Sequence, residues 1–148
     1  MRLTLYTDYA LRTLIHLAAN EGRLCSVSEI SDAFGVSRNH LTKVANDLGH
    51  AGYIDAVRGR MGGLRLARPP VEINLGEVVR HTEEGFALAD CAHCVIAPAC
   101  GLTGALAAAL AAFLKVLDGY TLADIASSRP ALRRLLGEGG VLPMRARK

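Results

Sequence analysis

Apolar residues at Leu11, Leu14, Ile15 and Ala18 recur at i, i+3, i+4 and i+7, the stripe of an amphipathic helix. Asp8 falls in its first turn, where a negative charge suits the helix dipole, and Glu21-Gly22-Arg23 ends it. Ser26 followed by Glu29 has the spacing of a capping box and predicts a second helix running to Gly35. Ser37 caps a third helix, with an apolar stripe of Leu41, Val44, Ala45 and Leu48, closed by Gly49 and Gly52. Two short helices joined by Phe34-Gly35-Val36-Ser37 read as a helix-turn-helix. Strand-like stretches at Tyr53–Arg58 and Leu64–Arg68 flank Gly59-Arg60-Met61-Gly62-Gly63, whose glycines tolerate positive φ. A β-hairpin directly behind such a helix pair is the order of parts in a winged helix.

Pro69-Pro70 punctuates the end of that unit. Asn74 with Glu77 is a second capping box and starts a helix through about Thr82. Glu83 to Cys100 has no periodicity; a long apolar helix from about Leu102 to Leu117 follows. Its Ala105, Ala108, Ala109 and Ala112 permit close helix approach, so the helix is expected to pack against a second copy of the chain. A short helix near Leu122–Ile125 and a Gly- and Arg-rich tail complete the chain, the last ten or so residues being expected to be disordered. The fold class is mainly α with a small β-hairpin. A winged helix-turn-helix DNA-binding domain over residues 1–70 precedes a cysteine loop and dimerisation helix over 71–127, with a partly disordered tail over 128–148.

Gly101 to Leu114 carries no charge, but it is shorter than the ~20 residues needed to span a bilayer, and Lys115 and Asp118 follow directly. With Asp8 and Arg12 interrupting the first apolar residues, no secretory signal is expected; a cytoplasmic protein without a membrane partner is. Trp is absent and aromatics are only 5%, so a base-stacking single-strand binder has little to work with. The net charge of +3 is less informative than its distribution. Between Val36 and Arg68, six basic residues (Arg38, Lys43, Arg58, Arg60, Arg65, Arg68) face two acids, leaving +4; between Val71 and Asp90, five acids face Arg80 alone. That segregation points to an anionic partner for the first region.

Opposite the apolar stripe of the third helix stand Asn39, Lys43, Asn46 and His50, with His40 and Thr42 on the flanks. Asn pairs with adenine edges and Lys with guanine O6/N7 in a major groove. Arg38 to Lys43 are best placed, because recognition helices enter the groove by their N-terminal end, with Arg38 set aside towards phosphate; the cap Ser37 is counted with the DNA-binding residues. Alone, such a face is simply a solvated one. With Arg58 and Arg60 flanking a glycine turn and Arg65 extending the same surface, the combined pattern points to duplex DNA.

Cys91, Cys94 and Cys100 place three thiolates on one loop, a donor set that suits iron–sulfur clusters and zinc alike. Without a secretory signal this clustering argues for metal or redox chemistry rather than disulfides. A fourth ligand could come from His93, Asp90, the remote Cys25 or an acid brought in by folding; for Cys25, in the turn between the first two helices, a structural role is the simpler reading. A zinc-stabilised structural module and a Cys-x-x-Cys redox enzyme are the rival classes. The second lacks the βαβ context of such motifs, and no catalytic triad, phosphate loop or carboxylate pair is evident, so a non-enzyme is expected.

The opening MRLTLYTDYALRTL, the wing VRGRMGGLRLARPP, the segment INLGEVVRHTEEG, and above all CVIAPACGL and LDGYTLADI resemble the Rrf family of iron–sulfur winged-helix regulators. The likeness runs to about Ser127 and is strongest to the branch of nitric-oxide-sensing repressors. It implies a dimer formed by the long helix and an iron–sulfur cluster, [4Fe-4S] favoured over [2Fe-2S], on Cys91, Cys94 and Cys100, with Asp8 of the other subunit as fourth ligand. It also implies binding to a palindromic operator that lapses on exposure to nitric oxide, relieving repression of nitric oxide detoxification genes. The branch that senses cluster supply carries a histidine ligand three residues after the last cysteine, where this chain has Thr103. The two-residue gap between Cys91 and Cys94 is shorter than is usual in the nitric-oxide-sensing branch.

Overall fold

The computed structural model describes residues 2–137. Helix α1 (Leu5–Ala19) starts at Thr4, whose side chain accepts from the Thr7 N–H, and Asp8 lies in its first turn. Its inward face, Ala10, Leu14, Leu17 and Ala18, is buried in the centre of the core. Around it pack α2 (Val27–Phe34) and α3 (Arg38–His50). Ser26 Oγ accepts from the Glu29 N–H at 3.0 Å, as the cap spacing requires. The Glu29 carboxylate, however, turns to Arg23 and His16. The turn between the two helices is pinned at both ends. The Val36 N–H donates to Ser31 O (3.1 Å), the Ser31 hydroxyl donates to Val36 O (2.6 Å), and Gly35 takes a φ of +63°. Leu41, Val44, Ala45 and Leu48 of α3 are all buried. Gly49 lies inside α3 rather than ending it; the chain leaves through Gly52, at φ +76°.

Strands β1 (Ile54–Val57) and β2 (Gly63–Leu66) pair antiparallel in the register Ile54↔Leu66 to Val57↔Gly63, a little shorter than the stretches the alternation predicts. At the tip, Gly59 has φ +112°, and a Cβ on Gly62 would run into the Val57 carbonyl, so this turn admits no side chain there. Cys25 is not in a free turn. Its N–H and C=O bond to Leu64 O and N at 2.9 and 2.8 Å, adding a single rung beside β2, from outside the two wing strands.

The core does not stop at Pro70. Beyond a 3₁₀ turn at Pro70–Glu72, Ile73, Val78 of α4 (Leu75–Thr82) and Leu122 of α6 (Leu122–Ile125) join the buried cluster around α1. Asn74 caps α4 by accepting from Glu77 N (3.1 Å), while its amide donates to Asp118 O (2.8 Å) at the end of α5 (Leu102–Asp118). Arg80 of α4 clasps Asp118 with both guanidinium nitrogens (2.8 Å for one). Within the segment read as a tail, Arg129–Gly137 forms a further helix, α7, that lies on α1 and α2. Leu132 packs on the core, and Arg129 donates to Glu21 at 2.6 Å. The Gly- and Arg-rich composition hid this apolar stripe. The final residues expected to be disordered lie outside the described ones. No helix among the described residues is long and apolar enough to cross a membrane.

Candidate nucleic-acid interface and cysteine loop

The outward face of α3 is set by its buried stripe. Arg38, Asn39, His40, Thr42, Lys43, Asn46 and His50 are all exposed, as is the cap Ser37, whose Oγ accepts from His40 N. Several of these side chains already have neighbours. Thr42 donates to Arg38 O (2.8 Å), the His40 ring stacks on Tyr9 at 6.3 Å, and Lys43 Nζ lies over the Tyr6 ring at 6.0 Å. Arg38 is 3.9 Å from Asp32, a solvated pair worth little on its own. Arg58 and Arg60 stand exposed at the wing tip, and Arg65 lies opposite Asp55 across the ladder, 3.4 Å away. The fold thus presents the N-terminal half of α3 and the wing arginines as an exposed set, with Arg38, Lys43, Arg58, Arg60 and Arg65 as its basic members.

Asp47, on α3, was missed by sequence reasoning as anything but an acid. It accepts from Tyr6 OH (3.0 Å) on α1 and pairs with His81 Nε2 (3.1 Å) on α4. Burial, together with the hydrogen bond to Asp47, pushes the Tyr6 phenol up to about 12, so it stays a donor at any physiological pH. Three helices therefore meet on one carboxylate beside Lys43. No local sequence signal marks it, because its partners are 41 and 34 residues away.

The cysteine loop leaves α4 at Glu83 and reaches α5 through a succession of tight turns. Cys94 N donates to Cys91 O (3.3 Å), Ala97 N to Cys94 O (3.1 Å) and Cys100 N to Ala97 O (3.3 Å). This three-residue winding coincides with the Cys91, Cys94, Cys100 spacing. All three thiols are free, Cys94 exposed and the other two half-buried. His93 and Asp90 are exposed and bonded to each other (Nδ1 to Oδ1, 2.8 Å). Asp8 pairs with Arg12 Nε at 2.9 Å on the surface of α1. Thr103 stands exposed in the first turn of α5. The three thiols are not among the donor groups whose atoms all lie within 4.8 Å of one another, as ligands of a single ion must. Three soft thiolates on one accessible loop are a donor set that suits an iron–sulfur cluster, and zinc as well.

Helix α5 is uncharged from Leu102 to Leu114, yet none of its residues is buried. Leu102 and Val116 are exposed, and Leu106, Leu110 and Phe113 line a groove of about 570 Å³ shared with Leu3, Phe86 and Leu88.

A helix-turn-helix with a wing, a basic reading face and a separate thiol loop defines a winged-helix transcriptional regulator. Residues 3–128 match the Rrf2 family, described as iron-dependent transcriptional regulators, and the chain belongs to that family. It is similar to the HTH-type transcriptional regulator NsrR of Bacillus licheniformis, with 49% identity over 92% of this chain and 99% of the relative. It is also similar to that of Geobacillus kaustophilus, with 51% identity over 93% and 98%. Among solved structures it resembles the oxidized form of Staphylococcus aureus CymR, with a TM-score of 0.69 and 30% identity over 85% of this chain and 96% of that one. The chain is a DNA-binding transcriptional regulator, and its relatives' names assign a regulatory rather than a catalytic role.

Proposed function

We propose that this regulator is a homodimeric repressor that binds a palindromic operator and releases it in response to nitric oxide. The observation that carries this reading is the loop with three free thiols, Cys91, Cys94 and Cys100, on a chain of an iron-dependent regulator family. Those thiolates would hold an iron–sulfur cluster, [4Fe-4S] in preference to [2Fe-2S], with the partner's Asp8 as the fourth ligand, and the cluster would supply iron that reacts with nitric oxide. That assignment of Asp8 follows the family resemblance, and its half-exposed place on the surface of α1, paired with Arg12, is compatible with it. A carboxylate is a hard ligand beside three soft thiolates, so Asp8 would be the weakest of the four ligands. While bound, it tethers the recognition unit of one subunit to the loop of the other. Its release changes the distance between the two α3 helices, which must match major grooves roughly 34 Å apart. On DNA, Ser37, Asn39, His40, Thr42 and Lys43 read base edges, while Arg38, Arg58, Arg60 and Arg65 hold phosphates or the minor groove.

The test is an anaerobic absorbance spectrum and nitric oxide titration run beside binding to a palindromic operator. Native chain is expected to show visible iron–sulfur absorption and operator binding that nitric oxide abolishes, both lost in C94S; D8A is expected to lose the cluster-dependent tight binding. Nitric-oxide-sensitive binding retained by both variants overturns the mechanism.

A further inference from the structure

Away from the cysteine loop, three elements bring together a second set of metal donors. His16 of α1, Cys25 at the wing rung and Glu29 of α2 offer an imidazole nitrogen, a thiol and a carboxylate oxygen, all within 4.8 Å of one another. His16 and Cys25 are buried at 1% and 0% exposure, and Glu29 is half-buried. From outside, Arg23 covers the group by donating to both Glu29 oxygens.

The imidazole is incompletely satisfied. Its Nε2 lies 3.2 Å from Glu29 Oε1, but Nδ1, though buried, has no hydrogen-bond partner among the described residues. Buried polar side-chain atoms are nearly always paired, so such an atom calls for an explanation. Burial lowers the His16 pKa, which keeps the ring neutral with a free lone pair, the form a metal requires. It also pushes the Cys25 thiol up to about 11, so this thiol ionises only when a cation displaces its proton.

We propose that His16, Cys25 and Glu29 form a second metal site, separate from the cysteine loop, for one borderline-soft divalent cation of the zinc type. The donor set selects the ion. One nitrogen, one sulfur and one oxygen suit zinc, whereas calcium and magnesium demand oxygen ligands and a cluster demands more thiolates. The thiolate and carboxylate together neutralise a divalent charge, and three protein ligands leave one position open. Bond lengths of about 2.0–2.3 Å set ligand atoms roughly 3–4 Å apart, and the donors already lie within 4.8 Å of one another, His16 Nε2 and Glu29 Oε1 at 3.2 Å. The ion would join α1, α2 and, through the Cys25–Leu64 rung, the root of the wing. It would thus brace the wing against the helix-turn-helix. The proposal is independent of what the loop cysteines hold.

The experiment uses the full chain carrying C91S, C94S and C100S, so that Cys25 is the sole thiol. Cobalt(II), titrated anaerobically, is expected to saturate at one ion per chain. Near-ultraviolet thiolate-to-cobalt absorption and the visible bands of a tetrahedral site should appear, and zinc should displace both. Adding C25A is expected to abolish the thiolate absorption, and H16Q or E29Q to weaken binding at least about tenfold. Zinc is expected to raise the Tm of the triple-serine chain and to leave that of its C25A derivative unchanged. A folded chain without thiolate absorption, or absorption that survives C25A, overturns the proposal. Should the triple-serine chain not fold, the native chain carrying C25A alone is expected to bind one equivalent less zinc; unchanged stoichiometry overturns the proposal equally.

Discussion

Asp47 Oδ2 takes both the Tyr6 hydroxyl and the His81 ring, so a single carboxylate oxygen on α3 ties that helix to α1 and α4. His16 is the counterpart beneath the wing, and its protonation has a predictable sign. Unfolded, it binds a proton near pH 6.5; folded, burial lowers that value despite Glu29. Between the two, protons favour the unfolded chain, so stability is full above pH 6.5 and declines as pH falls below it. Glu29 acts in the same direction at lower pH, because Arg23 and then His16 hold its carboxyl below 4.5. Its contribution is present above 4.5 and lost as pH falls through the lowered value. Thermal melts in chelator-containing buffer are therefore expected to show Tm falling from pH 7 to pH 5, with H16Q flattening the upper part of that fall. A wild-type Tm independent of pH over this range contradicts the assignment.

At the scale of elements, the caps differ in reach. Ser26 satisfies one amide of its own helix, and S26A is expected to cost about 1 kcal/mol. Asn74 does the same for α4 and also donates to Asp118 O, fastening α5 to the winged domain beside the Arg80–Asp118 pair. N74A should therefore cost more, about 2 kcal/mol, the cap plus a lost tie to a carbonyl. Equilibrium urea unfolding measures both, and equal losses would show that the tie to α5 contributes nothing. The caps themselves were legible, since Ser26, Ser37 and Asn74 act on residues three positions away. Their second halves were not. Whether Glu29 returns to its own cap or turns to Arg23 and His16 depends on what folding brings beside it.

At the scale of the molecule, α5 is an apolar helix with no buried residue, held to the rest through α4. An uncharged helical face of this length is stable in water only when covered, and its alanines allow a second α5 to approach closely. A108E, at an exposed position, is expected to convert the proposed dimer to monomer in sedimentation velocity and to weaken operator binding at least tenfold, with the helical circular dichroism retained. A dimer that survives with unchanged affinity would place the interface elsewhere.

The helix-turn-helix, the wing, the basic face of α3 and the Cys91, Cys94, Cys100 loop could all be read from sequence. Each is written in local periodicity, in caps spanning three residues, or in the clustering of one residue type. Tertiary structure alone decided the rest. It carried the core past Pro69-Pro70 into Ile73, Val78 and Leu122. It also turned part of a Gly- and Arg-rich tail into α7, whose Leu132 finds the core only once α1 is in place. Cys25 became a rung on Leu64, and His16 and Glu29 came to stand beside it. Such pairings join residues far apart in the chain, and their energies come from burial and from partners that exist only after folding, so no local pattern records them.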